Sequence, residues 1–214
     1  IAGSSPGWNA FGLGMLIPGG GFVYTSDPLL AVASLAAIAL SLVIFWLATG
    51  HESPRRFQDE FLFWSVAESF ARGDGLTWRG EGIGLYYFLY PVMLAPAFWF
   101  GGTVAASYTL VHLLDSLFIV GVLFPAFLMA RMDMRLRLAV LAALFAVAAP
   151  ALNYAGIIGT ESLAYPVATA AFGAIILSVA RPRRRNWALA FFMIGVALFT
   201  RAQFAVFAPA YLLA

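Results

Sequence analysis

The 214-residue chain is 63% hydrophobic and only 10% charged, whereas a soluble domain carries about 25% charged residues, so we predict an integral membrane protein rather than a large soluble core. Its formal net charge of +2, spread over 12 arginines and 10 acids, is too small and too scattered to indicate nucleic-acid binding. The absence of cysteine excludes a disulfide framework and a thiolate metal site.

Apolar runs of about 20 residues, the length that a membrane-crossing helix needs, recur along the chain and predict an all-α, multi-span helical bundle. We expect residues 1–27, which are apolar but broken by glycine and proline, to form a cytoplasmic or interfacial segment. The bundle domain then covers residues 28–214, with an outer loop at 51–104 and spans at about 29–49, 105–130, 137–156, 162–180 and 186–214. Because the chain starts at Ile1 and stops within an apolar run, we expect it to be a fragment of a longer protein, and the resemblance described below implies that it is the N-terminal portion.

Two short arginine-rich connections set the predicted orientation. The sequences ARMDMRLR (130–137) and RPRRRN (181–186) are expected on the cytoplasmic side, since short cytoplasmic loops carry an excess of basic residues. This orientation places the 51–104 loop, the 155–162 connection and Arg201 together on the outer side of the membrane.

The stretch FQDEFLFWSVAESFARGDG (57–75) predicts an amphipathic helix within the outer loop. Adjacent acids, Asp59 and Glu60, suit a helix start, and Arg72 followed by Gly73 suits a helix end. The residues of one face recur every four positions and include a Glu68–Arg72 ion pair. We expect this helix to lie on the outer membrane surface, with its aromatic face as an anchor, and the following LYPVMLAPAFWFGG (89–102) to be interfacial or half-inserted.

Asp59 and Glu60 have two interpretations. They are either ordinary capping charges or a pair of carboxylates for chemistry, because a carboxylate can take a proton from an acceptor hydroxyl. The same choice applies to Glu161 in GTESLAYP (159–166), where Thr160 is a possible N-cap. Arg201 lies between two apolar runs and has two interpretations as well: its side chain either extends to the outer membrane surface or, as an arginine at such depth, needs a partner and is a functional candidate.

His112 and Asp115 lie three residues apart within the second predicted span and so share a helix face. They form either a polar pair that packs helices together or a proton relay. Histidines and acids show no metal-ligand spacing, and two histidines do not support a nucleophile–histidine–acid site. We infer no required cofactor, and a requirement for a divalent metal stays undetermined.

These motifs, in this order, resemble the GT-C membrane glycosyltransferases. The resemblance covers roughly residues 29–214: an outer loop opening with DE, a helix ending AESFARGDG, then LYPVMLAPAFWFGG, GTESLAYP and TRAQF (200–204). More narrowly, the chain is similar to the branch that contains protein O-mannosyltransferases and lipid A aminoarabinose transferases.

The resemblance implies transfer of a sugar from a polyprenyl-phosphate carrier to a glycan, lipid or protein acceptor on the extracytoplasmic face of a bacterial plasma membrane. It places the catalytic aspartate at Asp59 and gives Glu60 the role of orienting it or binding the acceptor. Glu161 and Arg201 would lie near the carrier phosphate. The implied partners are the lipid-linked sugar donor and membrane lipids, with no nucleic acid.

Two other classes of function stay open. A protein of the same fold can act as a non-catalytic scaffold that contacts other membrane subunits of a larger complex. A transporter or proton channel would instead use His112 and Asp115.

Overall fold

The computed structural model describes residues 28–49, 58–83, 88–154 and 156–213, so the predicted segment 1–27 lies outside the described residues. The chain divides into two compact units, Ile1–Ala39 and Leu40–Ala214, and the boundary falls within helix α1, Pro28–Ala48. The described part of the first unit is the beginning of α1. All of the elements considered below belong to the second unit.

The described residues are mostly helical, in agreement with the predicted all-α class. After α1 the helices are α2 Gln58–Arg72, α3 Leu89–Leu94, α4 Pro96–Gly101, α5 Val104–Gly121, α6 Leu123–Ala130, α7 Leu136–Tyr154, α8 Glu161–Ala180, α9 Arg184–Thr200 and α10 Phe207–Leu212. A 3₁₀ turn, Ala202–Val206, connects α9 to α10. Strands β1 (Thr77–Trp78) and β2 (Glu81–Gly82) form a short antiparallel hairpin in which Thr77 faces Gly82 and Trp78 faces Glu81.

Among the described residues, two stretches are long and apolar enough to cross a membrane: Val104–Ala130, which combines α5 and α6, and Glu161–Ala180, which is α8. Only 39% and 28% of their most apolar windows are buried, whereas the core helix of a soluble protein would be mostly buried. Their outward faces carry large apolar side chains such as Leu117, Phe124 and Phe172. Helices also occupy the other predicted spans, and their crossing of a membrane stays a prediction.

Helix α2 has the limits that its sequence indicates. Asp59 and Glu60 lie in its first turn, where negative charge interacts favourably with the helix dipole. It ends at Arg72, and Gly73 follows with φ +88°, a left-handed conformation that glycine adopts without steric cost. The predicted ion pair between Glu68 and Arg72 is confirmed.

The predicted role of the aromatic face of α2 as a membrane anchor is wrong for Phe63. Its ring lies edge-on to Tyr90 of α3, with 5.3 Å between ring centroids, and the neighbouring Trp64 lies edge-on to Phe98 of α4 at 4.7 Å. Both side chains are buried, whereas Phe61 is 52% exposed. Helices α3 and α4 cover Phe63 and Trp64, so these two side chains are part of the protein core.

The segment predicted to be interfacial is broken into α3 and α4 at Ala95 and Pro96. A tight turn then leads into α5, where the Thr103 side chain caps the helix by accepting a hydrogen bond from the backbone N–H of Ala106 at 3.2 Å. The core lies where α2, α3, α4 and α5 meet the connection before α8, and it comprises Phe63, Trp64, Ala67, Tyr90, Leu94, Ala97, Tyr108, Val111, Ile158 and Leu163.

The predicted range 186–214 is not one continuous helix. Helix α9 ends at Thr200, and Arg201 has an extended backbone (φ −154°, ψ 131°) before the 3₁₀ turn begins. The backbone N–H of Arg201 still donates to the carbonyl of Ala197 at 3.0 Å, but the helix ends here, and the side chain contacts Glu161 at the start of α8.

Candidate functional site

The site is built around residues 156–162, the connection from α7 to the first turn of α8, which we call the α7–α8 connection. Glu60 is one of the side chains that hold it: its Oε1 accepts a hydrogen bond from the backbone N–H of Ile158 at 3.0 Å. Glu60 is only 2% exposed because it shares a helix face with Trp64 and Ala67, which pack into the core. A buried carboxylate is costly unless a donor reaches it, and the Ile158 N–H is such a donor.

Asp115 of α5 holds the same connection from a second helix. The hydroxyl of Tyr90 donates to its two carboxylate oxygens at 2.9 and 3.0 Å, and the hydroxyl of Ser162 donates to Oδ1 at 2.6 Å. Asp115 is 4% exposed, and both hydroxyl-bearing residues are also buried. One carboxylate therefore links α3, α5 and the first turn of α8.

The Tyr90 phenol stays a hydrogen-bond donor under all ordinary conditions. Complete burial raises its pKa well above the usual value of 10, and the nearby negative charge of Asp115 raises the pKa further. A phenol that keeps its proton can donate to the carboxylate without competition from its ionised form.

Arg201 and Glu161 form the ion pair that the sequence required for a deeply placed arginine. Arg201 Nη1 lies 2.6 Å from Glu161 Oε1, and the two side chains are 28% and 31% exposed. Gly159 makes room for this pair, because a Cβ atom at that position would lie only 2.6 Å from Glu161 Oε2. The pair is thus partly accessible to a ligand, unlike Glu60 and Asp115 beneath it.

The structure brings most of the predicted site residues to one end of the helices. Glu60 and Glu161 meet at the α7–α8 connection, Arg201 contacts Glu161, and Asp115 interacts electrostatically with both glutamates. Asp59 lies next to Glu60 in the first turn of α2, but its side chain is exposed.

Two further predictions concern the surroundings of His112 and the capping role of Thr160. His112 is buried, and its ring lies edge-on to that of Tyr108 with 4.4 Å between centroids, while the hydrogen bonds of Asp115 described above go to other helices. Thr160 occupies the N-cap position of α8 but makes no side-chain capping hydrogen bond. Its backbone is already helical (φ −58°, ψ −17°), whereas a capping residue normally has an extended conformation.

Sequence reasoning missed Tyr90 and Ser162. Tyr90 sits in an apolar run where an aromatic residue looks like an interfacial anchor, and Ser162 looks like an ordinary residue of a first helical turn. The available signal was Asp115 itself, because a carboxylate within a predicted span requires donors from neighbouring helices.

Within the ranges that the structure describes, no three histidine, aspartate or glutamate side chains are grouped so as to hold a metal ion. Comparison with models of known protein families gives no match, and neither do comparisons with curated proteins and with solved structures.

Proposed function

We propose that this chain carries the donor site of a membrane glycosyltransferase of GT-C type, which moves a sugar from a polyprenyl-phosphate carrier to an acceptor at the extracytoplasmic face. The observation that carries the proposal is the partly exposed Arg201–Glu161 pair. It lies at the α7–α8 connection, to which the start of α2 is also attached through Glu60. A phosphate-binding cation and an exposed aspartate, Asp59, are thereby brought to the same end of the helices.

Arg201 is suited to a lipid phosphate. A guanidinium has five N–H donors in a fixed plane, and the contact with Glu161 uses one of them. Arginine binds phosphate oxygens through charge-assisted, often bidentate hydrogen bonds. The partial exposure of Arg201 allows a headgroup phosphate to reach it, and Glu161 holds the guanidinium in place before the carrier arrives.

Asp59 is the proposed general base. It takes the proton of the acceptor hydroxyl while the hydroxyl oxygen forms a bond to the anomeric carbon of the sugar. The bond from that carbon to the phosphate oxygen breaks, and the phosphate leaves with the electron pair, stabilised by Arg201. Glu60 has a different role: its carboxylate is buried and holds the helix start that presents Asp59.

A membrane location follows from the same proposal. The carrier is a lipid, and α5, α6 and α8 present apolar residues on their outward faces over membrane-crossing lengths. With the arginine-rich connections in the cytoplasm, the start of α2 and the α7–α8 connection face outward. We therefore propose a multi-pass protein of a bacterial plasma membrane, with the donor site at its outer side.

The test uses the full-length protein in membrane vesicles, supplied with radiolabelled polyprenyl-phosphate mannose and, separately, polyprenyl-phosphate glucose. Asp59→Asn is expected to reduce sugar transfer about 100-fold or more, the usual contribution of a general base, without weakening binding of the carrier. Arg201→Gln is expected to weaken carrier binding. Arg72→Gln serves as the matched control, because Arg72 also pairs with a glutamate but lies away from the site.

Retained transfer in Asp59→Asn removes Asp59 as the base. Binding of the carrier without transfer from either donor favours the non-catalytic scaffold. Proton or solute transport that is lost in Asp115→Asn, with Asp59 dispensable, favours the transporter.

A further inference from the structure

Asp115 and its two hydroxyl donors form a buried link between three helices. A carboxylate in the middle of an apolar helix is expensive, and residues of this kind are usually functional or face the protein interior. Asp115 faces inward and binds Tyr90 from α3 and Ser162 from α8. Its three hydrogen-bond distances, from 2.6 to 3.0 Å, are those of bonds that offset this cost.

Ser162, one of the two hydroxyl donors to Asp115, is next in sequence to Glu161 of the Arg201–Glu161 pair. Ser162 directly follows Glu161 in the first turn of α8, and its backbone N–H and hydroxyl also lie 3.3 and 3.0 Å from the carbonyl oxygen of Gly159. The hydrogen bond from Ser162 to Asp115 therefore fixes the first turn of α8 against α5. The Tyr90 hydroxyl reaches the same turn as well, since it also interacts with the side chain of Ser162 and the backbone of Gly159.

We propose that Asp115 is a positioning residue, which acts through Ser162 to hold Glu161 where it pairs with Arg201. The proposed effect on the Arg201–Glu161 pair does not depend on a bound ligand. The consequence for carrier binding rests on the proposed function, since it requires that Arg201 bind the carrier phosphate.

The first experiment needs no ligand. Thermal unfolding midpoints of the full-length protein in detergent are measured for Glu161→Gln, Arg201→Gln and the double variant. Because the two residues are in contact, the decreases in midpoint are expected to be non-additive. The same three variants are then measured in the Ser162→Ala and Ser116→Ala backgrounds.

Ser162→Ala and Ser116→Ala are a matched pair, since each removes one buried serine hydroxyl near Asp115, but that of Ser116 donates to the backbone carbonyl of His112 within α5 and not to Asp115. The non-additivity is expected to disappear in Ser162→Ala and to persist in Ser116→Ala. If Ser162→Ala does not fold, Asp115→Asn replaces it: its amide keeps the side-chain volume but offers one acceptor oxygen instead of two, and the same loss is expected. Non-additivity that survives in the Ser162 variant, or that both variants abolish equally, overturns the proposal. Additive decreases of the unfolding midpoint in the parent protein also overturn the proposal.

The second experiment measures binding of polyprenyl monophosphate to the same proteins. Ser162→Ala is expected to weaken binding about fivefold, the effect of one ordinary hydrogen bond, and Ser116→Ala to leave it unchanged. In the Arg201→Gln background the Ser162 substitution should have no further effect. A parent protein that does not bind the monophosphate overturns the proposed function, while the unfolding experiment still decides the positioning role.

Discussion

Two adjacent acids at the start of α2 have opposite environments. Asp59 is exposed, whereas Glu60 is buried and accepts a hydrogen bond from Ile158. Successive residues of a helix point about 100° apart, so one member of the pair can enter the core beside Trp64 while the other faces outward. Glu60 consequently serves the structure, while Asp59 is accessible for the role in catalysis that we propose.

This difference predicts unequal effects of alanine at the two positions. Glu60→Ala removes the acceptor for the Ile158 N–H and leaves that donor buried, so we expect a loss of about 1–3 kcal/mol in unfolding free energy. Asp59→Ala is the neighbouring control and should change it by no more than about 0.5 kcal/mol. Denaturant unfolding of the full-length protein in detergent measures both. Equal effects would contradict the buried role of Glu60.

The sequence predicted the charged residues of the site but not their contacts, for a physical reason. Arg201 was expected to need a partner, and the predicted topology puts Glu161 on the same side of the membrane, but neither signal identifies Glu161 as that partner. Tyr90 and Ser162 are common in apolar helices, and the rotation that points them at Asp115 depends on how α3, α5 and α8 pack. The same holds for the choice between Asp59 and Glu60 as the buried acid.

At the scale of elements, the turn between α4 and α5 depends on a close approach of backbone. A Cβ atom on Gly101 would lie 2.8 Å from both the Cα and the backbone N of Ser107, and 2.1 Å from its Oγ. Backbone atoms cannot move aside as a flexible side chain can. This turn also sets the direction of α5, the helix that carries Asp115.

We therefore expect Gly101→Ala to destabilise the protein by about 1–3 kcal/mol, as overpacking of a well-packed core does. Gly195→Ala is the control: Gly195 lies within α9 with no atom within 4 Å of the added Cβ, so alanine should stabilise the helix by about 0.5–1 kcal/mol. Thermal unfolding in detergent shows whether Gly101→Ala lowers and Gly195→Ala raises the stability. A neutral Gly101 variant would show that the turn can relax.

The sequence predicted where α2 begins and ends because the signals for both, acids at its start and glycine after its end, act within one helical turn. They could not predict which surface covers its aromatic side chains. Lipid and a protein helix are equally apolar partners for Phe63, and only the folding back of α3 and α4 decides between them.

At the scale of the whole molecule, the predicted orientation places Asp74 and Arg183 on opposite sides of the membrane. The chain contains no cysteine, and both residues are exposed, the first just after α2 and the second before α9. In intact spheroplasts, a membrane-impermeant maleimide should label Asp74→Cys directly and Arg183→Cys only after permeabilisation. Labelling of both variants without permeabilisation would contradict the topology.

The hydrogen bond between Glu60 and Ile158 joins residues that are 98 positions apart in the chain. Contacts of large sequence separation form only after the intervening chain has been placed. The α7–α8 connection thus acquires its final form late in biogenesis, when α5, α6 and α7 are already in position. An incompletely inserted protein would have its helices but not the assembled α7–α8 connection, and under the proposed function it would not yet bind the lipid-linked sugar.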